Sequence, residues 1–186
     1  MARQQMALQL GRPNWSDENL SGLPEQNNRL WGMVEQYTGH PLLIDFLAKL
    51  IDARDVQARD PVALARAIQD YSAYHIKFFR ERPERFQSPM RTIAWGIGDC
   101  DDKSIFIGAS IRSFRIPCRL TILRLLVDGE RVGHVYPEAW LGESWVPLES
   151  VRPVPWGHNP AVIAAKRDYL VKREFVGDSP EPGRYA

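Results

Sequence analysis

The chain predicts an α+β fold, a run of helices ending in one that opens on a cysteine, followed by a small antiparallel sheet. Three observations carry that expectation. In Gly96-Ile97-Gly98-Asp99-Cys100-Asp101-Asp102-Lys103-Ser104, two glycines and an aspartate form a loop, after which Ile105, Phe106, Ala109, Ile111 and Phe114 recur at helical spacing. Downstream, residues 118–127 and 132–141 alternate like strands around an Asp128-Gly129 turn. Upstream, prolines punctuate apolar stretches with one buried face.

Residues 1–23 mix Gln, Asn, Gly and Pro with Leu8, Leu10 and Trp15, and are expected to form an arm. The arm reads either as a mobile tail or as a segment that orders its apolar residues against a partner. Pro24 opens a helix to about Tyr37 with Leu30, Trp31, Val34 and Tyr37 on one side, and Gly39 ends it. A second helix spans Pro41 to about Ala53, and Asp60-Pro61 starts a third to about His75 that buries Leu64, Ile68 and Tyr71. Residues 76–79 are a short strand or the helix end. Residues 80–85 are a charge run suited to a solvated loop, and Ser88-Pro89 begins a short helix ending near Trp95.

The helix of Cys100 should run to about Arg115, where Pro117 blocks it. Of the two long strands, the second carries His134, Tyr136, Glu138 and Trp140 on one face and Val135, Ala139 and Leu141 on the other. The site face is expected to be the one His134 occupies. Pro137 cannot donate to a ladder and should mark an edge or bulge. Gly142-Glu143 turns into a third strand, residues 144–148, and Asn159-Pro160 opens a last helix. The expected organisation is an arm (1–23), one domain (24–176) and a tail (177–186). The domain has a helical half (24–115), a sheet half (116–151) and a C-terminal helix (159–171).

With 186 residues, 44% hydrophobic, 25% charged and a net charge of +1, the chain suits one ordinary domain with a real core. The neutral balance, with no basic cluster, argues against a nucleic-acid partner. Two cysteines do not make a disulfide framework, so a reduced compartment is expected. No apolar run approaches the roughly 20 residues needed to cross a bilayer and the first residues lack a signal-peptide block, so a cytoplasmic protein with no membrane partner is expected.

Cys100 falls in the first turn of its helix, where unpaired N–H groups and the positive end of the helix dipole stabilise a thiolate below the usual value of about 8.5. Alone, that stretch fits a structural cysteine equally well, because Asp99, Asp101 and Asp102 are ordinary first-turn residues. Adding His134 and Glu149 supplies a nucleophile, a base and a carboxylate to orient the base, in that order. No cofactor or metal is expected: His40, His75, His134 and His158 have no paired ligand spacing, and the three aspartates lack the further ligands a zinc or calcium site needs.

Gly98-Asp99-Cys100, then residues 111–119 (Ile-Arg-Ser-Phe-Arg-Ile-Pro-Cys-Arg), then His134-Val135-Tyr136, then Trp145-Val146-Pro147-Leu148-Glu149 follow one another in a recognisable order. Together they resemble the transglutaminase-like superfamily of papain-type folds over roughly residues 88–151. With Phe86-Gln87-Ser88-Pro89 and the doubled aspartate, they look most like the version encoded in tailed phages and prophages. The resemblance implies Cys100 as nucleophile, His134 as base and Glu149 as orienting acid, where the family generally carries Asp. It implies a thioester formed from an amide, then hydrolysed or passed to an amine. The Cys100 N–H would serve the oxyanion, with Trp95 as a site wall or merely packed. Asp101 and Asp102 read as helix caps, the alternatives being that one of them pairs with Lys103 or positions a substrate amine, a positioning role open to Asp99 as well. Cys118, His75 and His158 read as structural. The expected partners are a protein or peptide substrate and, through the arm, other phage structural proteins, in the host cytoplasm or the virion. A non-enzymatic assembly module on the same fold is the alternative.

Overall fold

The structure, a computed structural model, describes residues 23–80 and 86–179. All but Leu23 of the expected arm, all but Arg80 of the charge run and most of the expected tail lie outside the described residues.

Helix α1 (Leu23–Tyr37) begins one residue before the expected proline, and α2 (Pro41–Ala53) follows. Helix α3 (Pro61–His75) is capped by Asp60, whose carboxylate accepts the N–H groups of Val62 and Ala63. The open reading of residues 76–79 resolves as strand β1 (Lys77–Phe78). It pairs in parallel with β2 (Ile97–Gly98), which follows α4 (Pro89–Trp95). Gly96 ends α4 in the left-handed region at φ 63° and turns the chain toward the cysteine.

Helix α5 (Cys100–Ser113) is the centre of the molecule, with every residue from Asp101 to Ile111 buried. It stops two residues before the sequence suggests, because Arg115 takes φ 61° ahead of Pro117. A cluster including Leu43, Leu47, Leu64, Ile68, Phe106 and Ile107 fills the space between α5 and the helices α2 and α3.

Strands β3 (Cys118–Val127) and β4 (Glu130–Trp140) pair antiparallel without a break, joined by Asp128 and Gly129 at φ 51° and 81°. These are the two positive angles a tight hairpin turn needs. Pro137 sits inside this regular ladder rather than at a bulge. Its carbonyl accepts from Leu148 N at 2.8 Å, so its backbone points away from β3 and toward β5 (Trp145–Pro147), just past that strand's last residue, where a missing N–H costs little.

The C-terminal expectation needs correction. Helix α6 spans Pro160–Lys166 and does not reach residue 171. Asp168 turns left-handed at φ 56°, and β6 (Leu170–Gly177) then pairs with β3. The sheet thus has four strands, ordered β5-β4-β3-β6, instead of a three-strand meander. Nor does a tail begin at 177. A Cβ on Gly177 would meet the Trp31 ring at 2.7 Å, and the carboxylate of Asp178 accepts from Arg112 Nε at 3.0 Å and from Cys118 N at 3.0 Å.

The two sheet faces have different cover. Leu120, Ile122 and Val135 pack against Ile105 of α5 and Leu30 and Val34 of α1. Leu123, Leu125, Val132 and Tyr136 face the other way, under Ala161 and Ala164 of α6.

Candidate active site

The mouth of α5 is built from carboxylates that serve the backbone. Asp99 caps the helix by accepting from the N–H groups of Asp101 and Asp102, and Asp102 returns a bond to Asp99 N, completing a capping box. Asp102 is fully buried and also accepts from Gln87 N at 2.7 Å and Gln87 Nε2 at 2.8 Å. Gly98 has to be a glycine, since a Cβ there would lie 2.9 Å from Asp102 Cβ. Asp99 and Asp102 are therefore committed to holding the helix start, not to positioning a substrate amine. Asp101 is the aspartate whose carboxylate approaches Cys100, 3.8 Å from Sγ. Of the alternatives, an aspartate paired with Lys103 is not the arrangement found: Lys103 Nζ donates to Ser72 O at 2.9 Å and Ser150 O at 2.7 Å.

His134 and Glu149 meet directly, with a buried contact between Nε2 and Oε2. The second carboxylate oxygen of Glu149 accepts from Val151 N at 2.7 Å, and Gln69 Nε2 donates to the Glu149 carbonyl at 2.7 Å. Burial acts to raise the Glu149 carboxyl, but the charge and hydrogen bond of His134, with the Val151 N–H, outweigh it and hold the group below the ordinary carboxylate range. The imidazole is stacked on Tyr136, centroids 5.9 Å apart, and Tyr136 is fixed in turn by its hydroxyl donating to Asn159 Oδ1 at 3.2 Å. His134 Nδ1 is buried and has no hydrogen-bond partner among the described residues.

His134 shares with Tyr136 the face covered by α6, whereas partly buried Cys100 packs against the cluster on the face covered by α5. What joins them is the edge of β4 beyond the end of β5. There Ser104 Oγ donates to Val135 O at 3.2 Å, and Lys103 grips Ser150. The chain neighbours of His134 and Glu149 are thus each bonded to the first turns of the helix that begins with Cys100.

A family model of the transglutaminase-like superfamily matches residues 50–150, more than half of the chain. The chain belongs to the transglutaminase-like superfamily. Among solved structures, Legionella pneumophila LapG covers 78% of this chain and 83% of its own at 15% identity and a TM-score of 0.48. Calcium-bound LapG of the same organism gives 17% identity, 78% and 80% coverage and a TM-score of 0.47. A candidate cysteine protease from Cytophaga hutchinsonii is 18% identical over 62% of this chain, with a TM-score of 0.44, and this chain spans 40% of that one. No curated protein matches.

The remaining candidates can be placed within this transglutaminase-like domain. Trp95 is 51% exposed, with the Arg91 guanidinium 3.9 Å over its ring, so it is not packed into the core. Cys118 is fully buried, and burial followed by the Asp178 charge pushes its thiol far up, which suits an inert cysteine. His158 is nearer the site than its sequence setting suggested. It lines a cleft of about 150 Å³ with His134, Glu149, Arg152, Ile163 and Arg167, and burial lowers its pKa against the opposing pull of Glu149. Its only signal in the sequence is its place just before the Asn159-Pro160 helix start. Among the described residues, no group of three His, Cys, Asp or Glu side chains could hold a metal ion. No helix among them is long and apolar enough to cross a membrane.

Proposed function

We propose that the protein is a cysteine-nucleophile enzyme acting on amides, with Cys100, His134 and Glu149 as its triad. The observation that carries this reading is the buried His134–Glu149 pair, which uses one ring nitrogen and leaves Nδ1 without a partner at the strand edge reached by the helix of Cys100. Most buried polar side-chain atoms find a partner, and here the unpartnered ring nitrogen is the one opposite the carboxylate, the atom a general base would use.

In this reading, His134 takes the Cys100 proton and Glu149 stabilises the imidazolium and fixes the tautomer. The thiolate attacks the substrate carbonyl carbon, a C–S bond forms and the π electrons move to oxygen, which the Cys100 N–H can receive at the helix start. Collapse breaks the C–N bond, and His134 returns its proton to the leaving amine. The resulting thioester is then cleaved by water, releasing an acid, or by an amine, giving a new amide. The substrate is a protein or peptide. The phage setting and the arm's docking role belong to this proposal as its biological frame.

The test is alkylation by iodoacetamide across pH with the modified residue located by mass spectrometry. Cys100 should label quickly and stay reactive below neutral pH, while Cys118 stays unlabelled in the native protein. Equal, slow labelling of both thiols would sink the reading in favour of an assembly module.

A further inference from the structure

We propose that Lys103 is a positioning residue for this triad, a buried cation that clamps the segment carrying Glu149 to the helix carrying Cys100. The proposal rests on the catalytic reading above. Lys103 stands one turn from Cys100 on α5, is 1% exposed, and donates to Ser72 O and Ser150 O at 2.9 and 2.7 Å. Three separate pieces of chain therefore converge on one ammonium group: α3, the segment after β5 and the nucleophile helix. The same junction is tied by Ser72 Oγ to Ser150 Oγ at 2.9 Å and by Gln69 Nε2 to Glu149 O.

An uncharged side chain of similar length would fill this space, and a buried charge costs free energy, so a lysine here needs a reason. The position of Glu149 supplies one. Lys103 is bonded to the Ser72 carbonyl from α3 and to the Ser150 carbonyl, and the carboxylate that attracts it is Glu149, with His134 bonded to that; of the aspartates at the mouth of its own helix, Asp99 and Asp102 are turned to capping and Asp101 lies toward Cys100. Burial lowers Lys103 to about 8, and the attraction of Glu149 opposes that fall. Glu149 itself is held ionised by His134, the Val151 N–H and His158, so the part left to Lys103 is to fix, through Ser150, where that carboxylate stands; Glu149 in turn stabilises the imidazolium, and the imidazolium the thiolate. The charge acts on chemistry through two other residues and touches no substrate.

The experiment follows Cys100 alkylation in the full chain from about pH 5 to 10 for wild type and three variants. Lys103→Met should slow labelling near pH 6 by about tenfold and move the profile up by about one pH unit. Lys103→Arg, which keeps a charge at all these pH values, should retain the wild-type profile. Ser72→Ala removes the neighbouring hydroxyl pair but leaves the carbonyl contacts of Lys103, so it should lower the urea midpoint without moving the profile. A Lys103→Met profile that matches wild type overturns the proposal, whatever its loss of stability. Should Lys103→Met not fold, NMR of ring-labelled histidine decides. The His134 signal of wild type should step near pH 8 and that of Lys103→Arg should not, and a wild type without the step overturns the clamp. A wild-type Cys100 no faster than an ordinary thiol overturns the triad and the clamp together, whereas a fast wild type with an unmoved Lys103→Met overturns the clamp alone.

Discussion

Replacing His134 by alanine is expected to slow Cys100 alkylation near pH 6 by about a hundredfold, while labelling near pH 9 changes little. The reason is that in the proposed triad His134 is the group that converts thiol to thiolate below the ordinary cysteine range. Above that range the sulfur ionises without help. Glu149→Gln should fall between wild type and His134→Ala, because an amide still accepts or donates to Nε2 but no longer offsets the ring's positive charge. Parallel pH–rate curves of unchanged shape for wild type and His134→Ala would show that the imidazole and the sulfur do not communicate. Stability provides the control: the His134 variant should keep a urea unfolding slope like that of wild type, so that a change in reactivity is not a change in fold.

Asp102→Ala is expected to have the largest effect on stability, a loss of about 3–5 kcal/mol. Its carboxylate accepts from Gln87 N, Gln87 Nε2 and Asp99 N, and all three donors lie in a buried setting. Alanine strands them and removes half of the capping box of α5. Asp102→Asn keeps acceptor capacity on one oxygen and should cost clearly less. Urea denaturation followed by far-ultraviolet circular dichroism measures both, and a midpoint for Asp102→Ala within experimental scatter of wild type would mean the mouth of α5 is held by something else. Of the two aspartates after the cysteine, Asp102 is thus accounted for by the helix, whereas the Asp101 carboxylate lies toward Cys100.

The sequence made the helices legible because each has both its punctuation and its period. Asp60-Pro61 and Ser88-Pro89 fix where α3 and α4 begin, and the caps found there are the ones those residue pairs imply. Motif order likewise brought His134 and Glu149 together across a separation of fifteen residues, a contact the strand pairing of β4 and β5 then delivers. The last strand was missed for a physical reason. Residues 160–171 contain Ala, Val, Ile and Leu at spacings compatible with a helix, and only the left-handed turn at Asp168, which an aspartate tolerates, separates α6 from β6. Alternation placed His134 on the correct face of β4 but could not show that the helix of Cys100 packs on the other, since that depends on how the chain crosses the open strand edge. Lys103 and Ser150 were equally invisible, because a hydrogen bond from a side chain to a backbone carbonyl leaves no pattern in residue types.

The pairing of β6 with β3 has one further consequence. A chain cut before residue 170 would leave the ten-residue strand β3 with a bare row of amides and carbonyls along a Leu-rich and Val-rich flank. Such a border is a template for sister molecules. It would also unfasten Asp178 from Arg112 at the far end of the helix that begins with Cys100. Fragments trimmed there should cluster into insoluble assemblies rather than persist as smaller working enzymes.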